Sequence, residues 1–199
     1  MDAQMWNDRY SGSELVWSAG PNAFVAEICS GLPVGRSIDL AAGEGRNSIW
    51  LAEQGWEAKA VDFSQVGADK ARQLAEHRGV SVDIEVADLN EYEPTRGGYD
   101  LVLVVYLQLP DEQLSPMLTR AADAVAPGGR FVLVCHDREN LDRGYGGPQS
   151  LEVLTTPAQV VAAIGDELVV ERAEVAERRV STPDGERVAL DTVVVARCP

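Results

Sequence analysis

Basic residues are in short supply: 17 Lys and Arg stand against 32 Asp and Glu, a formal charge of −15. A surface of that sign repels a phosphate backbone unless a local basic patch intervenes. The longest basic cluster, Arg178-Arg179, is small beside the acidic excess. DNA and RNA are therefore poor candidate partners, and the acidity itself needs no reading beyond solubility. Cysteine is scarce as well. Cys29, Cys135 and Cys198 are odd in number, widely spaced and free of any CxxC pair, which leaves neither a disulfide framework nor a zinc set. A reduced, cytoplasmic setting without a bound metal is expected. No apolar run is long enough to cross a bilayer, and the opening MDAQMWNDRY lacks the basic and apolar regions of a secretory signal. No repeat or low-complexity linker divides the 199 residues, a length that suits one domain with one sizeable core.

What is present is alternation. Arg36–Ala42 reads as a strand, broken by Gly43 and Gly45, and Arg46–Gln54 as a helix closed by Gly55. Ala58–Phe63 is a second strand. Ser64 then suits the N-cap of a helix that Gly79 stops, with His77 on its exposed side. Val80–Ala87 alternates apolar with polar, as a strand near a sheet edge does. Leu101–Val105 is continuously apolar, which suits a central strand buried on both faces. Ser115-Pro116 looks like an N-cap followed by proline at the first helical position, leading into the apolar face of Leu118, Ala121, Ala122 and Val125. Pro127-Gly128-Gly129 ends that helix and feeds a fifth strand, Arg130–Val134.

Strands alternating with helices imply a mostly parallel α/β sheet with right-handed crossovers. The last segment departs from this. Glu167–Val180 and Arg187–Arg197 are strand-like runs joined only by a short link with Pro183-Asp184-Gly185 turn chemistry. Such a link joins antiparallel strands, because a parallel partner needs a crossover of a dozen residues or more. The final strand is therefore expected to run against the others.

The segment Asp39-Leu40-Ala41-Ala42-Gly43-Glu44-Gly45-Arg46-Asn47 lies between the first strand and the first helix. Glycines there let a ligand approach the backbone, and open parallel sheets bind ligands beyond the carboxyl ends of their strands. Asp62 ends the second strand, where a carboxylate can accept hydrogen bonds from both hydroxyls of a ribose. Asp88-Leu89 ends the third, placed to contact an adenine edge and face. Each signal alone has a plain structural reading, as a tight turn, a capping acid or a solvated acid. All three at successive strand ends are more specific.

These residues resemble the class I methyltransferases that use S-adenosylmethionine (SAM). DLAAGEGRN is similar to the first motif of that family, VDFS to the second, VADLNEY to the third, YDLVLVVYLQLP to the fourth and APGG to the fifth. The likeness covers roughly residues 36–136, and the terminal hairpin matches the family's reversed last strand. It implies a Rossmann-like three-layer sandwich with a seven-stranded sheet in the order 3-2-1-4-5-7-6, strand 7 antiparallel. Ala41 departs from the pattern, since many members have glycine there. The opening Trp6-Asn7-Asp8-Arg9-Tyr10, with Leu15, Trp17 and Gly20-Pro21-Asn22, resembles tellurite-resistance-type and thiopurine-methyltransferase-like enzymes. There residues 1–30 would form a helical cover over the donor, with residues 36–199 as the core sheet of one domain. The alternative is that Trp6 and Trp17 merely pack an N-terminal helix onto the sheet. The resemblance implies a donor site made of Trp6, Arg9, Tyr10, Asp39, Ala41, Gly43, Gly45, Asn47, Asp62, Phe63, Asp88, Leu89 and Val105.

Methyl transfer from a sulfonium is an in-line displacement in which the leaving group departs neutral, so alignment in a dry pocket is the main requirement. A base is needed only where the acceptor must lose a proton. Candidates follow the fourth and fifth strands: Tyr106, which could orient an acceptor, and His136, which could take a proton. A strand-end histidine with a structural hydrogen bond is the competing reading, and Cys135 reads as a small core residue. The loop 137–150, with Arg138, Arg143, Tyr145 and three glycines, has the length of a lid over a small acceptor such as a thiol, a metalloid oxyanion or a ring hydroxyl. Two other functions compete. A nicotinamide-dependent oxidoreductase fits only partly, because Ser48 stands where GxGxxG needs its third glycine. A SAM-binding module without catalysis would carry the same donor motifs.

Overall fold

In the computed structural model, residues 3–12 and 20–199 are described. Leu15 and Trp17 lie outside them. The elements follow the alternation of the sequence: α1 (Ala3–Tyr10), α2 (Ala23–Cys29), β1 (Arg36–Leu40), α3 (Arg46–Glu53), β2 (Glu57–Asp62), α4 (Gln65–Arg78), β3 (Val82–Val86), β4 (Tyr99–Val105), α5 (Asp111–Asp123), β5 (Val125–His136), α6 (Asn140–Arg143), α7 (Pro157–Ile164), β6 (Val169–Thr182) and β7 (Gly185–Arg197). The sheet has the expected order β3-β2-β1-β4-β5-β7-β6. β7 is antiparallel to both β5 and β6, and the other pairings are parallel. Thr182 pairs with Gly185, so the hairpin turns on Pro183 and Asp184 alone.

The core is split by the sheet. Along β4, Leu101, Leu103 and Val105 face Phe24 and Val25 of α2 and Leu51 of α3. Val102 and Val104 face Leu114, Met117 and Leu118 of α5 and Val160 and Ile164 of α7. Residues i and i+2 share a face, so an unbroken apolar run serves two layers at once. β3 is an edge, with Val86 37% exposed. Local caps behave as the sequence implies. Ser64 Oγ accepts from the Gly67 amide, and Gly79 closes α4 in the left-handed region at φ 68°.

Two boundaries differ from the sequence reading. Ser115-Pro116 is not the start of a helix. α5 begins five residues earlier, with Pro110 at the N-cap and Asp111 and Glu112 in the first turn, where carboxylates favour the helix dipole. Pro116 removes the hydrogen bond to the Glu112 carbonyl, but Glu112 and Pro116 both lie on the exposed side of the helix. The apolar stripe of Leu114, Met117, Leu118, Ala121 and Ala122 outweighs the lost bond. The helix also ends at Asp123, and β5 already includes Val125 and Pro127-Gly128-Gly129 before the run 130–134. Its pairing with β4 is shifted between Tyr99 and Leu101, which absorbs the proline and glycines as an irregularity rather than a break.

Candidate active site

The carboxyl ends of β1, β2, β3 and β4 open on one edge and frame a cleft. Its walls include Trp6, Tyr10, Ala41, Gly43, Asn47, Asp62, Phe63, Asp88, Leu89 and Val105, all expected from sequence, together with Arg46 and Tyr106. Ala41 adopts φ 69°, a left-handed conformation that an alanine enters only with strain, and this is where glycine is the usual family residue. Gly43, at φ 57°, brings its amide within 2.8 Å of Asp62 Oδ2, while the Ser64 amide donates to Asp62 Oδ1 at 2.8 Å. Burial raises the Asp62 carboxyl more than these two bonds lower it. Asp88 is exposed, and its Oδ1 accepts from both nitrogens of Asn90 at 2.9 Å.

Three other expected donor residues lie differently. Gly45 caps α3 at φ 76°, and a Cβ there would come within 2.9 Å of the Ala71 methyl, so this glycine lets α3 and α4 approach each other. Asp39 lies beneath the turn, 1% exposed, accepting from Ser48 Oγ at 3.0 Å through Oδ2 while Oδ1 has no hydrogen-bond partner. Burial pushes its pKa up to about 7. Arg9 stands over the Trp6 ring, 5.1 Å from its centroid, and lines a neighbouring hollow. α1 is pinned by Asn7, whose Oδ1 accepts from Ser64 Oγ at 2.6 Å. It narrows the cleft to about 80 Å³ of free space, because the Tyr10 hydroxyl reaches over Gly43. Pockets for small ligands run from about 300 to 1,000 Å³, so with α1 in this position the cleft is narrower than a typical ligand site.

Beyond β4 and β5 the two candidate catalytic side chains meet. Tyr106 and His136 stack with centroids 4.7 Å apart at 24°. Both face a residue that sequence reading missed: Asp191 of β7, which pairs with His136 across the antiparallel ladder. Tyr106 Oη donates to Asp191 Oδ2 at 2.8 Å and Arg178 Nε donates to the same oxygen at 2.7 Å. His136 Nδ1 lies 3.2 Å from Asp191 Oδ1, close enough for charge pairing, yet neither atom makes a well-aligned hydrogen bond. Burial raises Asp191, but His136 and the bonded, charged Arg178 outweigh it and hold the carboxyl below its usual range. Burial, followed by the Asp191 charge, raises the Tyr106 phenol, so it stays protonated and serves as a donor. Tyr106 also sits at φ 55°, a strained conformation of the kind that clusters at functional sites.

Behind this network lies a second hollow of about 500 Å³, bounded by Arg9, Arg46, Arg178, Arg179, His136 and Tyr145 among others. A Cβ on Gly147 would come within 3.0 Å of the His136 ring, so the loop 137–150 closes on the imidazole face that Tyr106 leaves open. Asn140 ties that loop to the sheet, its Oδ1 accepting from the Leu190 amide at 2.7 Å. Arg143 points elsewhere, paired with Glu139 and 70% exposed. Cys135 is buried with its thiol pushed up to about 12, a core residue. Asp191 did carry a sequence signal, an acid inside the apolar run Ala189–Ala196; Arg46 follows the glycine turn directly.

Residues 38–129 match the family model described as a methyltransferase domain, and the sheet order is that of its class I members. These residues, a little under half of the chain, form a methyltransferase domain within the sheet expected of the class I SAM-dependent enzymes. This methyltransferase chain is 24% identical over 137 residues to a 2-heptyl-1-hydroxyquinolin-4(1H)-one methyltransferase of Mycobacteroides abscessus, covering 66% of this chain and 60% of the relative. It thus spans less than two thirds of that relative's length. In fold it is similar to the structure described as "Conversion of a Disulfide Bond into a Thioacetal Group during Echinomycin Biosynthesis", with TM-score 0.79, 19% identity and coverage of 98% of this chain and 92% of the other. It is also similar to TehB from Haemophilus influenzae, with TM-score 0.74, 13% identity and coverage of 99% and 67%. Ser48, at the position where a nicotinamide-binding turn needs glycine, is fully buried and bonded to Asp39. Among the described residues no helix is long and apolar enough to cross a membrane, and no cluster of His, Cys, Asp and Glu suits a metal ion.

Proposed function

We propose that the chain is one catalytic unit that transfers a methyl group from SAM to a small-molecule acceptor bound against Tyr106 and His136. The observation that carries this is a juxtaposition. An acid-tipped, glycine-floored cleft and a carboxylate-backed histidine open on the same sheet edge, with Arg46 and Tyr106 lining both spaces. The cleft residues suit the donor chemically. Asp62 retains lone pairs for a ribose diol, Phe63 and Leu89 provide apolar faces for a purine beside Asp88, and the bare Gly43 backbone leaves room at the turn once Tyr10 withdraws. SAM supplies an electrophilic methyl on a sulfonium. The protein's part is to align, to exclude water and to move one proton. Trp6 and Tyr10 of α1 line the donor end, which supports this helix as a lid of the same unit. Asp191 orients the imidazole and stabilises its charged form as it takes a proton from the acceptor, while neutral Tyr106 and Arg178 hold the carboxylate in place. This base paired with a buried carboxylate favours an enzyme over a passive SAM binder. The acidic surface argues against nucleic acid as acceptor, and the free, mostly buried cysteines suit a reducing cytoplasm.

Calorimetry with SAM and with its demethylated coproduct, S-adenosylhomocysteine, tests the donor site. A coupled assay for that coproduct over thiols, phenols, amines, chalcogen anions and a short RNA tests transfer. Binding of both nucleosides with turnover on a small molecule is expected. Absence of heat with either nucleoside refutes the reading, and turnover on the RNA alone refutes the choice of acceptor.

A further inference from the structure

The hollow behind Tyr106 has a charge opposite to that of the molecule around it. Four of the chain's 17 Lys and Arg line it, Arg9, Arg46, Arg178 and Arg179, and among the described residues no Asp or Glu does. Arg46 and Arg178 both approach the Tyr106 ring, their Cζ atoms 5.9 and 5.5 Å from its centroid. Burial lowers the pKa of Arg46, and the nearby charge of Arg178 adds to that effect. Asp191 already compensates Arg178 from one side, and an anion placed between the two guanidinium groups would offset their mutual repulsion on the other. A guanidinium carries five N–H donors. Arg178 engages Asp191 through Nε, and Arg179 engages Glu186 through one Nη, so both retain donors for a ligand. The remaining walls are flat and aromatic. The Tyr106–His136 stack forms one side, and Tyr145, 46% exposed on the 137–150 loop, another. At about 500 Å³ the space is far larger than an inorganic oxyanion and falls in the range of ring-sized ligands.

We propose that the acceptor is a planar organic acid, its ring lying along the Tyr106–His136 wall and its carboxylate held between Arg46 and Arg178. The inference rests on the methyltransferase reading and names the acceptor class for that same site. A carboxylate so placed leaves a second substituent of the ring, a hydroxyl or thiol, free to face His136. Its proton passes to the imidazole as the oxygen or sulfur bonds to the methyl carbon and the sulfonium bond breaks.

The test uses matched pairs, 4-hydroxybenzoate and 2-mercaptobenzoate against their methyl esters, with binding measured by calorimetry in the presence of S-adenosylhomocysteine and turnover measured by the coupled assay. A charge-assisted contact of this kind is worth about tenfold or more in affinity, so at least one acid should exceed its ester by that factor. Arg178→Gln and, outside the Asp191 network, Arg179→Glu should each lower the acid-to-ester ratio about tenfold. The ratio separates recognition from a merely structural role, which would lower acid and ester together. Equal binding of acid and ester in every pair overturns the proposal, as does displacement of the acid by sulfate at equal concentration. Binding of S-adenosylhomocysteine with a preference for neutral acceptors overturns this inference alone, whereas failure to bind that nucleoside overturns the methyltransferase reading beneath it.

Discussion

Asp191→Asn removes the charge at the centre of the Tyr106–His136–Arg178 network while keeping its size. Asp191 is fully buried, and the Arg178 side chain is 24% exposed. Breaking a buried ion pair costs about 3–5 kcal/mol, and partial solvation of Arg178 brings the expected loss down to about 2 kcal/mol. For a chain of this length that lowers the melting temperature by about 4–8 °C. The sign of the pH dependence follows from the direction of the shift. A carboxyl held below its ordinary value of 3.8 contributes stability that is complete above that value and is lost only as pH falls through the lower folded value. The gap between wild type and variant should therefore be the same at pH 8 and pH 9, far above that value and above the range in which a histidine beside the carboxylate changes charge. Catalysis adds a second readout. If Asp191 serves proton removal through His136, kcat falls about 100-fold on an acceptor that must be deprotonated and much less on one already ionised in solution. Urea denaturation at the two pH values and coproduct release with a weakly and a strongly acidic thiol supply the measurements. Equal losses of kcat on both thiols would refute the proton-transfer role and leave Asp191 as a positioning group only.

Two further substitutions probe the glycine turn. Asp39 has the opposite sign to Asp191: raised to about 7, it makes folding take up a proton between 3.8 and that value, so the protein loses stability as pH rises across this window. Asp39→Asn should accordingly leave stability unchanged near pH 4 and raise it by about 2–4 kcal/mol at pH 8, read by urea midpoints; an unchanged or lower midpoint at pH 8 counts against a protonated, poorly satisfied carboxyl. Ala41→Gly relieves a left-handed alanine at φ 69°, and despite the added freedom of the unfolded chain should stabilise the protein by about 0.5–1 kcal/mol. A loss of stability in differential scanning calorimetry would show that the Ala41 methyl contributes packing that outweighs the strain.

Much of this protein is written locally. Short apolar runs separated by turn and helix signals set β1 to β5, and Pro183-Asp184 between two strand-like runs leaves β7 no choice but to reverse. Asp62 and Asp88 could be placed at strand ends because chain position and strand length already determine them. Where two local signals competed, as at Ser115-Pro116, burial of Leu114 and Met117 decided the outcome, and that is a property of what α5 packs against. The reacting end of the site needed more. His136 and Asp191 are 55 residues apart and meet only because the reversed strand lies against β5 in one register; a slip of one residue would turn Asp191 to the opposite face. Arg46 and Arg178 likewise flank one ring from a helix start and an edge strand. Periodicity and turn chemistry could thus fix which elements form and in what order, because those depend on neighbours in the chain. The charge of the acceptor hollow and the partner of its histidine came from contacts between distant segments, which only the packed sheet brings together.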